Sequence, residues 1–153
     1  MKQITYNEGM ITIRVQPFIK IFRFRGKIAK LKIKPLTFII DLIFQVVFSC
    51  NIPATVKLGK NPIFPHSGLG VVIDKRTIIG NNAKIYQNVT IGWRNGEGPP
   101  IIGNDVLIGA GASVLGKIKI GNNVQIGTNA VVISDVPDNC IAVGVPAKII
   151  KNK

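Results

Sequence analysis

The residue of this chain best suited to moving a proton at neutral pH is His66, the only histidine among 153 residues. It lies between Pro65 and Ser67 in the segment PHSGLGVVID. An imidazole, with an ordinary pKa of about 6.5, can take the proton of an attacking hydroxyl group near pH 7. A lone histidine is more often structural than catalytic, so its interpretation depends on the elements that surround it.

Those elements have a period of six. Neither the 3.6-residue period of a helix nor the two-residue period of a strand fits this spacing. Such a repeat predicts a solenoid in which each hexapeptide forms one flat side of a triangular coil. The aliphatic residue points inward, and the glycine that often follows it is expected to let the chain turn the corner. The recurring residues are Ile79, Ile85 and Ile91, then Ile102, Ile108, Val114, Ile120, Ile126 and Val132.

The period breaks twice, and each break predicts a loop that leaves the solenoid. Nine residues in place of six separate Phe64 from Ile73, which puts His66 in the first loop. Eleven residues separate Ile91 from Ile102, and this second loop carries Trp93, Arg94 and Glu97. Loops on a rigid scaffold are where function concentrates. We therefore expect His66 to be a general base and the second loop to contact the acceptor.

The segment IGNDVLIGAGASVLGKIKIGNNVQIGTNAVVISDVPDNCIAVGVPAKII resembles the hexapeptide-repeat acyltransferases. Within them it is most similar to the serine acetyltransferase-like branch, which includes acetyltransferases of bacterial surface polysaccharides. The resemblance covers residues 50–150 and implies an all-β solenoid, a left-handed parallel β-helix, that assembles as a homotrimer. Residues 1–49 are then a basic and apolar segment with a capping helix, and residues 151–153 are a basic tail.

The resemblance also implies roles for particular residues near His66. In the family an aspartate orients the catalytic histidine, and the matching position here is Asn51. An Asn carbonyl oxygen can fix the imidazole tautomer without stabilising the imidazolium as a carboxylate would. Asp74 is the alternative orienter and a further candidate for acceptor contact. The family's second active-site histidine is absent, with Glu97 or Pro99 near its place.

Acetyl-CoA is the donor that the resemblance implies, with no metal ion. The small residues Gly109, Ala110 and Thr128 are expected along its pantetheine arm, in a groove between subunits. The terminal segment of Pro146, Ala147 and Lys148 is expected to close over the cofactor.

The amino-acid composition favours some classes of binding partner and excludes others. A formal net charge of +13 favours anionic partners such as phosphorylated cofactors or an acidic membrane surface. Nucleic acid is not expected, because no recognition motif accompanies the charge. One histidine excludes the several-histidine metal site of carbonic anhydrase-like β-helices. Two cysteines without disulfide or metal spacing favour a cytoplasmic protein.

The first fifty residues carry two signals. Residues 18–35 contain seven basic residues and no acid, and residues 36–49 are almost entirely apolar. The apolar run is too short to span a bilayer, which needs about 20 residues. It is expected to form a helix that caps the open end of the solenoid. Peripheral contact of residues 18–49 with the inner face of the cell membrane is the second interpretation.

The sequence therefore predicts an acetyl-CoA-dependent O-acetyltransferase. A sugar hydroxyl of a surface polysaccharide or its precursor is the first acceptor that we consider, and L-serine is the alternative. Ser67 is a less favoured candidate as nucleophile. The non-enzyme hypothesis is a β-helix that binds a partner and has lost catalysis. It is motivated by Asn51 and by the missing second histidine.

Overall fold

A computed structural model describes residues 19–24 and 34–151 of the chain, without the side chains of residues 34–37 and 151. The expectations for residues 1–18, for the basic residues between 25 and 33, and for the tail at 152–153 fall outside the described residues.

Two helices precede the solenoid in the described ranges, α1 over residues 19–24 and α2 over Lys34–Phe48. Ile40, Phe44 and Phe48 follow one another at four-residue spacing, which places them on one face of α2. That face packs against the core. The ring centroid of Phe44 lies 6.3 Å from that of Phe22 in α1 and 5.2 Å from that of Phe48. Neither described helix is long and apolar enough to cross a bilayer.

The rest of the described chain is built from thirteen short strands joined by tight turns. They are β1 Lys57–Leu58, β2 Val72–Ile73, β3 Ile78–Ile79, β4 Lys84–Ile85, β5 Thr90–Gly92, β6 Ile101–Ile102, β7 Leu107–Ile108, β8 Ser113–Leu115, β9 Lys119–Ile120, β10 Gln125–Ile126, β11 Val131–Val132, β12 Cys140–Val143 and β13 Lys148–Lys151.

The strands form three sheets, which are the three sides of a prism. Sheet A has the order β2-β5-β8-β11, sheet B the order β1-β3-β6-β9, and sheet C the order β4-β7-β10-β12-β13. From β3 to β11, successive strands pass from sheet B to C to A in rotation; before β2 and before β12, isolated bridges at Ile63 and Val136 take the place of a strand. Every strand pairing is parallel except the antiparallel pair β12–β13. The chain therefore winds as a parallel β-helix, as the period of six predicts.

The core runs along the axis of this prism. The predicted inward aliphatics are all buried, and the residues two positions before them form a second buried set that includes Ala83, Val106 and Val124. Thr77 is the polar member of this second set. It is fully buried, and its Oγ1 has no hydrogen-bond partner in the described part of the chain.

The strand register measures the length of each coil. Val72 pairs with Thr90, eighteen residues on, as three hexapeptides require. The pairing of Lys57 with Ile78 spans 21 residues, so the first break adds three residues. The pairing of Ile78 with Ile101 spans 23, so the second adds five. Both predicted insertions are thus present at corners of the prism. A third change, which the period of six does not predict, shortens the last coil to sixteen residues between Ile120 and Val136.

The glycines after the inward aliphatics serve a different purpose from the expected one. Gly80 and Gly103 do not have positive φ angles. A Cβ atom on Gly80 would instead lie 2.6 Å from the carbonyl carbon of Gly103, and one on Gly103 would lie 2.8 Å from that of Gly121. Glycine is required here because neighbouring coils approach too closely for a side chain. Among the residues other than glycine that have positive φ angles, most are asparagines, such as Asn82 and Asn123.

Asparagine and aspartate side chains form a ladder along the corner between sheets B and C. Each side-chain oxygen accepts a hydrogen bond from a backbone N–H in the preceding coil. Oδ1 of Asn81 accepts from Lys60 N at 2.8 Å, and Oδ1 of Asn104 accepts from Asn81 N at 2.8 Å. Asn122 and Asp138 continue the series at 2.8 and 2.7 Å. The backbone N–H groups at this corner therefore find hydrogen-bond acceptors in side chains, as the strands do in the sheets.

Candidate functional site

His66 lies in the short turn Pro65–Gly68, at the corner where the chain passes from sheet C to sheet A. We call this the C–A corner; it comprises residues 65–70, 86–88, 109–111, 127–129 and 144–147. His66 and Ser67 both have a φ of 55°, in the left-handed region that residues other than Gly, Asn, Asp and His seldom adopt. Each such residue costs about 1 to 3 kcal/mol.

The surrounding backbone holds this strained turn in place. Gly70 N donates to Ser49 O at 2.9 Å, and Asn88 N in the next coil donates to Leu69 O at 2.8 Å. Pro65 is buried beneath the turn, whereas the His66 side chain is exposed. The turn thus presents the imidazole to solvent on a rigid base. Observed strain of this kind is a reason to suspect function.

Asn51 is fixed next to this turn through its backbone. It bridges Val72 at the start of sheet A, donating from its N to Val71 O at 2.8 Å, and its O accepts from Ile73 N at 2.9 Å. Within residues 19–24 and 34–151, no hydrogen bond joins the Asn51 side chain to the His66 imidazole. In enzymes without substrate such bonds are often long and tighten only in the complex.

The residues expected along acetyl-CoA lie on later coils of the same corner. Asn129 N donates to Ala110 O at 2.9 Å, which stacks the turn containing Thr128 on the turn containing Ala110. Ala147 N donates to Val131 O at 2.8 Å, which fixes the terminal segment beside them. Neighbouring strands are about 4.8 Å apart, so Ala110 lies two coils, roughly 10 Å, from the level of His66. The structure therefore brings these residues into one row.

Exposure differs along this row. Gly109 is buried, and a Cβ atom there would lie 2.6 Å from Thr128 N, so close stacking explains this glycine without a ligand. Ala110 is half-buried, and Thr128, Pro146 and Lys148 are exposed. The exposed members form a surface along which an extended molecule can lie.

The acceptor candidates lie at a different corner, where the chain passes from sheet A to sheet B, which we call the A–B corner. Trp93 is 57% exposed, and Arg94 and Glu97 are exposed in the same inserted loop. Asp74 lies at this corner too, because it follows β2 of sheet A. One chain therefore does not place these four residues beside His66. A site that contains both His66 and these four residues needs the A–B corner of a second copy of the chain.

Asp74 is paired with Arg76 rather than with His66. Its Oδ1 accepts from the backbone N of Arg76 at 2.9 Å and from Nε at 3.2 Å. Burial raises the pKa of Asp74, but the hydrogen bonds from Arg76 and the charges of Arg76 and Lys75 outweigh it and leave the pKa below its usual value. The Arg76 guanidinium also lies 5.3 Å from the centre of the Trp93 ring. Arg76 thus joins two acceptor candidates.

This pairing makes a contribution to stability that depends on pH. A carboxyl whose pKa is lowered by folding stabilises the protein above its unfolded pKa of about 3.9, and this contribution is lost as the pH falls through the folded pKa. We expect Asp74→Asn to lower the free energy of unfolding at pH 7 by up to about 1 kcal/mol, since the pair is partly exposed. Urea unfolding at pH 7 and pH 3 measures this difference, which should shrink at pH 3; an equal difference at both pH values would contradict the pairing.

Two residues near the candidate site were missed from the sequence. Arg76 follows Asp74 by two positions, and that spacing was the available signal. Gln87 lies at the C–A corner one coil beyond His66, and its buried Oε1 has no hydrogen-bond partner among the described residues. No pattern in the sequence marked Gln87, because it occupies a turn position where other coils have Ala110 or Thr128.

Known proteins share both the repeat and the fold. Residues 99–134 match the family described as bacterial transferase hexapeptide (six repeats). Serine acetyltransferases from Synechococcus elongatus and Staphylococcus aureus are 46% identical over 97 residues and 49% identical over 98 residues. These alignments cover 61% and 62% of this chain but only 39% and 46% of the relatives. The chain thus spans less than half the length of either relative.

Solved structures agree with this likeness. Neisseria gonorrhoeae serine acetyltransferase matches 87% of this chain and 52% of its own with a TM-score of 0.79 and 36% identity. A serine acetyltransferase in complex with CoA matches 87% of this chain and 55% of its own with a TM-score of 0.78 and 32% identity. The expected left-handed β-helix and the resemblance to the serine acetyltransferase-like branch are confirmed.

Proposed function

This chain carries the repeat of the hexapeptide transferases and the β-helix of the serine acetyltransferases, and from that premise we propose that it transfers an acetyl group from acetyl-CoA to a hydroxyl acceptor. The observation that carries the proposal is the C–A corner. There a strained, exposed His66 shares one row with Ala110, Thr128 and Ala147. This row supports a base at one end and an extended thioester substrate along the remainder.

In the proposed reaction His66 removes the proton of the acceptor hydroxyl as its oxygen attacks the thioester carbonyl carbon. The C–S bond then breaks, and the leaving thiolate of CoA takes up a proton. Asn51 is the proposed positioning residue for the imidazole, because its backbone is fixed beside the turn. Backbone N–H groups of the coil turns are the candidates for stabilising the oxyanion.

Acetyl-CoA carries phosphates, which suits a chain with a net charge of +13. Lys148 is exposed at the end of the row and is the proposed phosphate contact. Lys84 lies at the level of the coil after His66, with its ammonium 5.4 Å from the centre of the Tyr86 ring. Cationic side chains therefore lie at the Lys148 end of the row and in the coil that follows His66.

L-serine is the acceptor that we propose first. The relatives named above are serine acetyltransferases, which favours serine over the sugar hydroxyl expected from the sequence. A sugar is retained as the second candidate for one reason. The resemblance places the orienting aspartate at Asn51 and a second histidine near Glu97 or Pro99, so the proposed acceptor pocket lacks two side chains that the family has.

The proposed assembly is a homotrimer in which an A–B corner of one copy completes the C–A corner of another. The separation of Trp93 and Arg94 from His66 within one chain supports this arrangement. Sedimentation equilibrium of the full chain should give three times the monomer mass.

Release of free CoA from acetyl-CoA tests the proposed reaction. We expect purified protein to release CoA in the presence of L-serine and not in its absence. Release of CoA only with sugars or glycan fragments would identify a sugar hydroxyl, rather than L-serine, as the acceptor. Absence of release with every acceptor, together with absence of acetyl-CoA binding by calorimetry, would contradict the proposed function and favour a binding subunit.

A further inference from the structure

The outer side of α2 is apolar and exposed in the described part of the chain. At about 100° per residue, its exposed apolar side chains occupy roughly half of the helix circumference. Val46 is 71% exposed and Phe38 is 69% exposed. Contiguous apolar surface of this kind is uncommon on monomeric soluble proteins and marks an interaction site. We call it the outer face of α2; its residues are Phe38, Ile39, Leu42, Ile43, Val46 and Val47.

The outer face contains no charged side chain. Among residues 38–48 the single ionisable residue is Asp41, which is half-buried and engaged with another group. Gln45 is the one exposed polar residue in this range. No side chain of the outer face therefore carries a charge that must remain hydrated.

Basic residues are exposed on α1, which contacts α2 through the buried Phe44. The contact between Phe22 and Phe44 fixes α1 against α2, and α1 exposes Lys20 and Arg23 together with Ile21 and Phe24. Residues 18–35 contain seven basic residues and no acidic one. Apolar and cationic surface thus occur together at the N-terminal end of the solenoid.

We propose that the outer face of α2 and the exposed side of α1 dock on an anionic lipid surface. An apolar helix face inserts at the boundary between headgroups and acyl chains, and nearby basic residues pair with anionic headgroups. A second copy of the chain is a poorer occupant of this face, since a contact through the same helices would bring its own exposed Lys20 and Arg23 against those of the first copy. With 15 residues, α2 lies in the membrane plane rather than across it.

Co-sedimentation with lipid vesicles tests this docking independently of any acetyl transfer. The full chain is mixed with vesicles of phosphatidylcholine alone or of phosphatidylcholine and phosphatidylglycerol at equal mole fraction. We expect it to sediment with the anionic vesicles and to remain in the supernatant with the neutral ones. Val46→Glu should lower the partition coefficient by about tenfold or more, because it removes apolar insertion and adds a repelled charge.

Asn139→Asp is the matched control, since it makes the same change in net charge at the far end of the solenoid. Asn139 is exposed, and its Oδ1 accepts a hydrogen bond from Asn123 that an aspartate retains. This control should bind anionic vesicles like the parent chain. Circular dichroism checks the fold of each variant, and Val47→Glu replaces Val46→Glu if the latter does not fold.

Two results would overturn the proposal. One is equal binding of the parent chain to neutral and anionic vesicles, or to neither. The other is an equal loss of binding in Val46→Glu and Asn139→Asp, because net charge alone would then explain it. If the parent chain binds no vesicles and Val46→Glu lowers the mass in sedimentation equilibrium, the outer face is an interface between copies.

Discussion

Replacement of His66 by alanine is expected to lower the rate of acetyl transfer by about 10²- to 10⁴-fold, the usual contribution of a positioned general base. The loss should appear in kcat, with binding of acetyl-CoA unchanged, because the row of Ala110, Thr128 and Ala147 lies on other coils. Stopped-flow or endpoint detection of free CoA measures the rate, and calorimetry measures the binding.

Two further variants separate chemistry from structure at this turn. His66→Asn keeps a residue type that tolerates the observed φ of 55°, yet it provides no base. It should therefore be as inactive as His66→Ala while unfolding at the temperature of the parent chain. Ser67→Ala should retain activity. An active His66→Asn variant would refute the role of His66 as general base. An inactive Ser67→Ala variant would instead indicate that the Ser67 hydroxyl takes part in the reaction.

A methyl group on Gly80 is expected to lower the free energy of unfolding by about 3 kcal/mol, the upper part of the usual range for overpacking. The added Cβ would lie 2.6 Å from the carbonyl carbon of Gly103, and backbone in a stacked coil cannot move aside as a side chain can. For a chain of this size the loss corresponds to a fall of about 6 to 12 °C in Tm. Differential scanning calorimetry measures it.

Gly92→Ala is the matched control for this substitution. Gly92 follows Ile91 as Gly80 follows Ile79, and it also has no positive φ. A Cβ atom on Gly92 would have Cδ2 of Leu115 as its nearest neighbour, at 3.9 Å, which is an ordinary contact. We expect a change in Tm within about 2 °C. Equal losses for the two variants would show that coil contact is not the reason for these glycines.

The fold was predictable because inward packing has a strict period. Ile85 and Ile108 must stack on one another, so the six-residue spacing of inward aliphatics resumes after the inserted loop between them. The same property located both insertions, since extra residues can leave only at corners. The role of glycine was assigned incorrectly, because close approach between coils depends on the stacking of residues 18 to 23 positions apart.

The candidate site was less predictable for the same reason. That His66 shares a corner with Ala110 and Thr128 follows only from the register of the sheets, after both insertions are counted. The separation of Trp93 from His66 has the same origin. The pairing of Asp74 with Arg76 depends on side-chain geometry at a turn, which a repeat pattern does not specify.

The two ends of the described solenoid differ from its middle in ways that disfavour end-to-end stacking of copies. Stacked parallel coils offer open strand edges at both ends, as amyloid does. At the first coil the ladder position is Lys60, a cationic side chain that accepts no hydrogen bond, where later coils have asparagine or aspartate. At the last coil β13 reverses direction and pairs with β12, so its sheet does not offer a parallel template. Stacking of a further coil is thus disfavoured at each end by a different feature, one electrostatic and one topological.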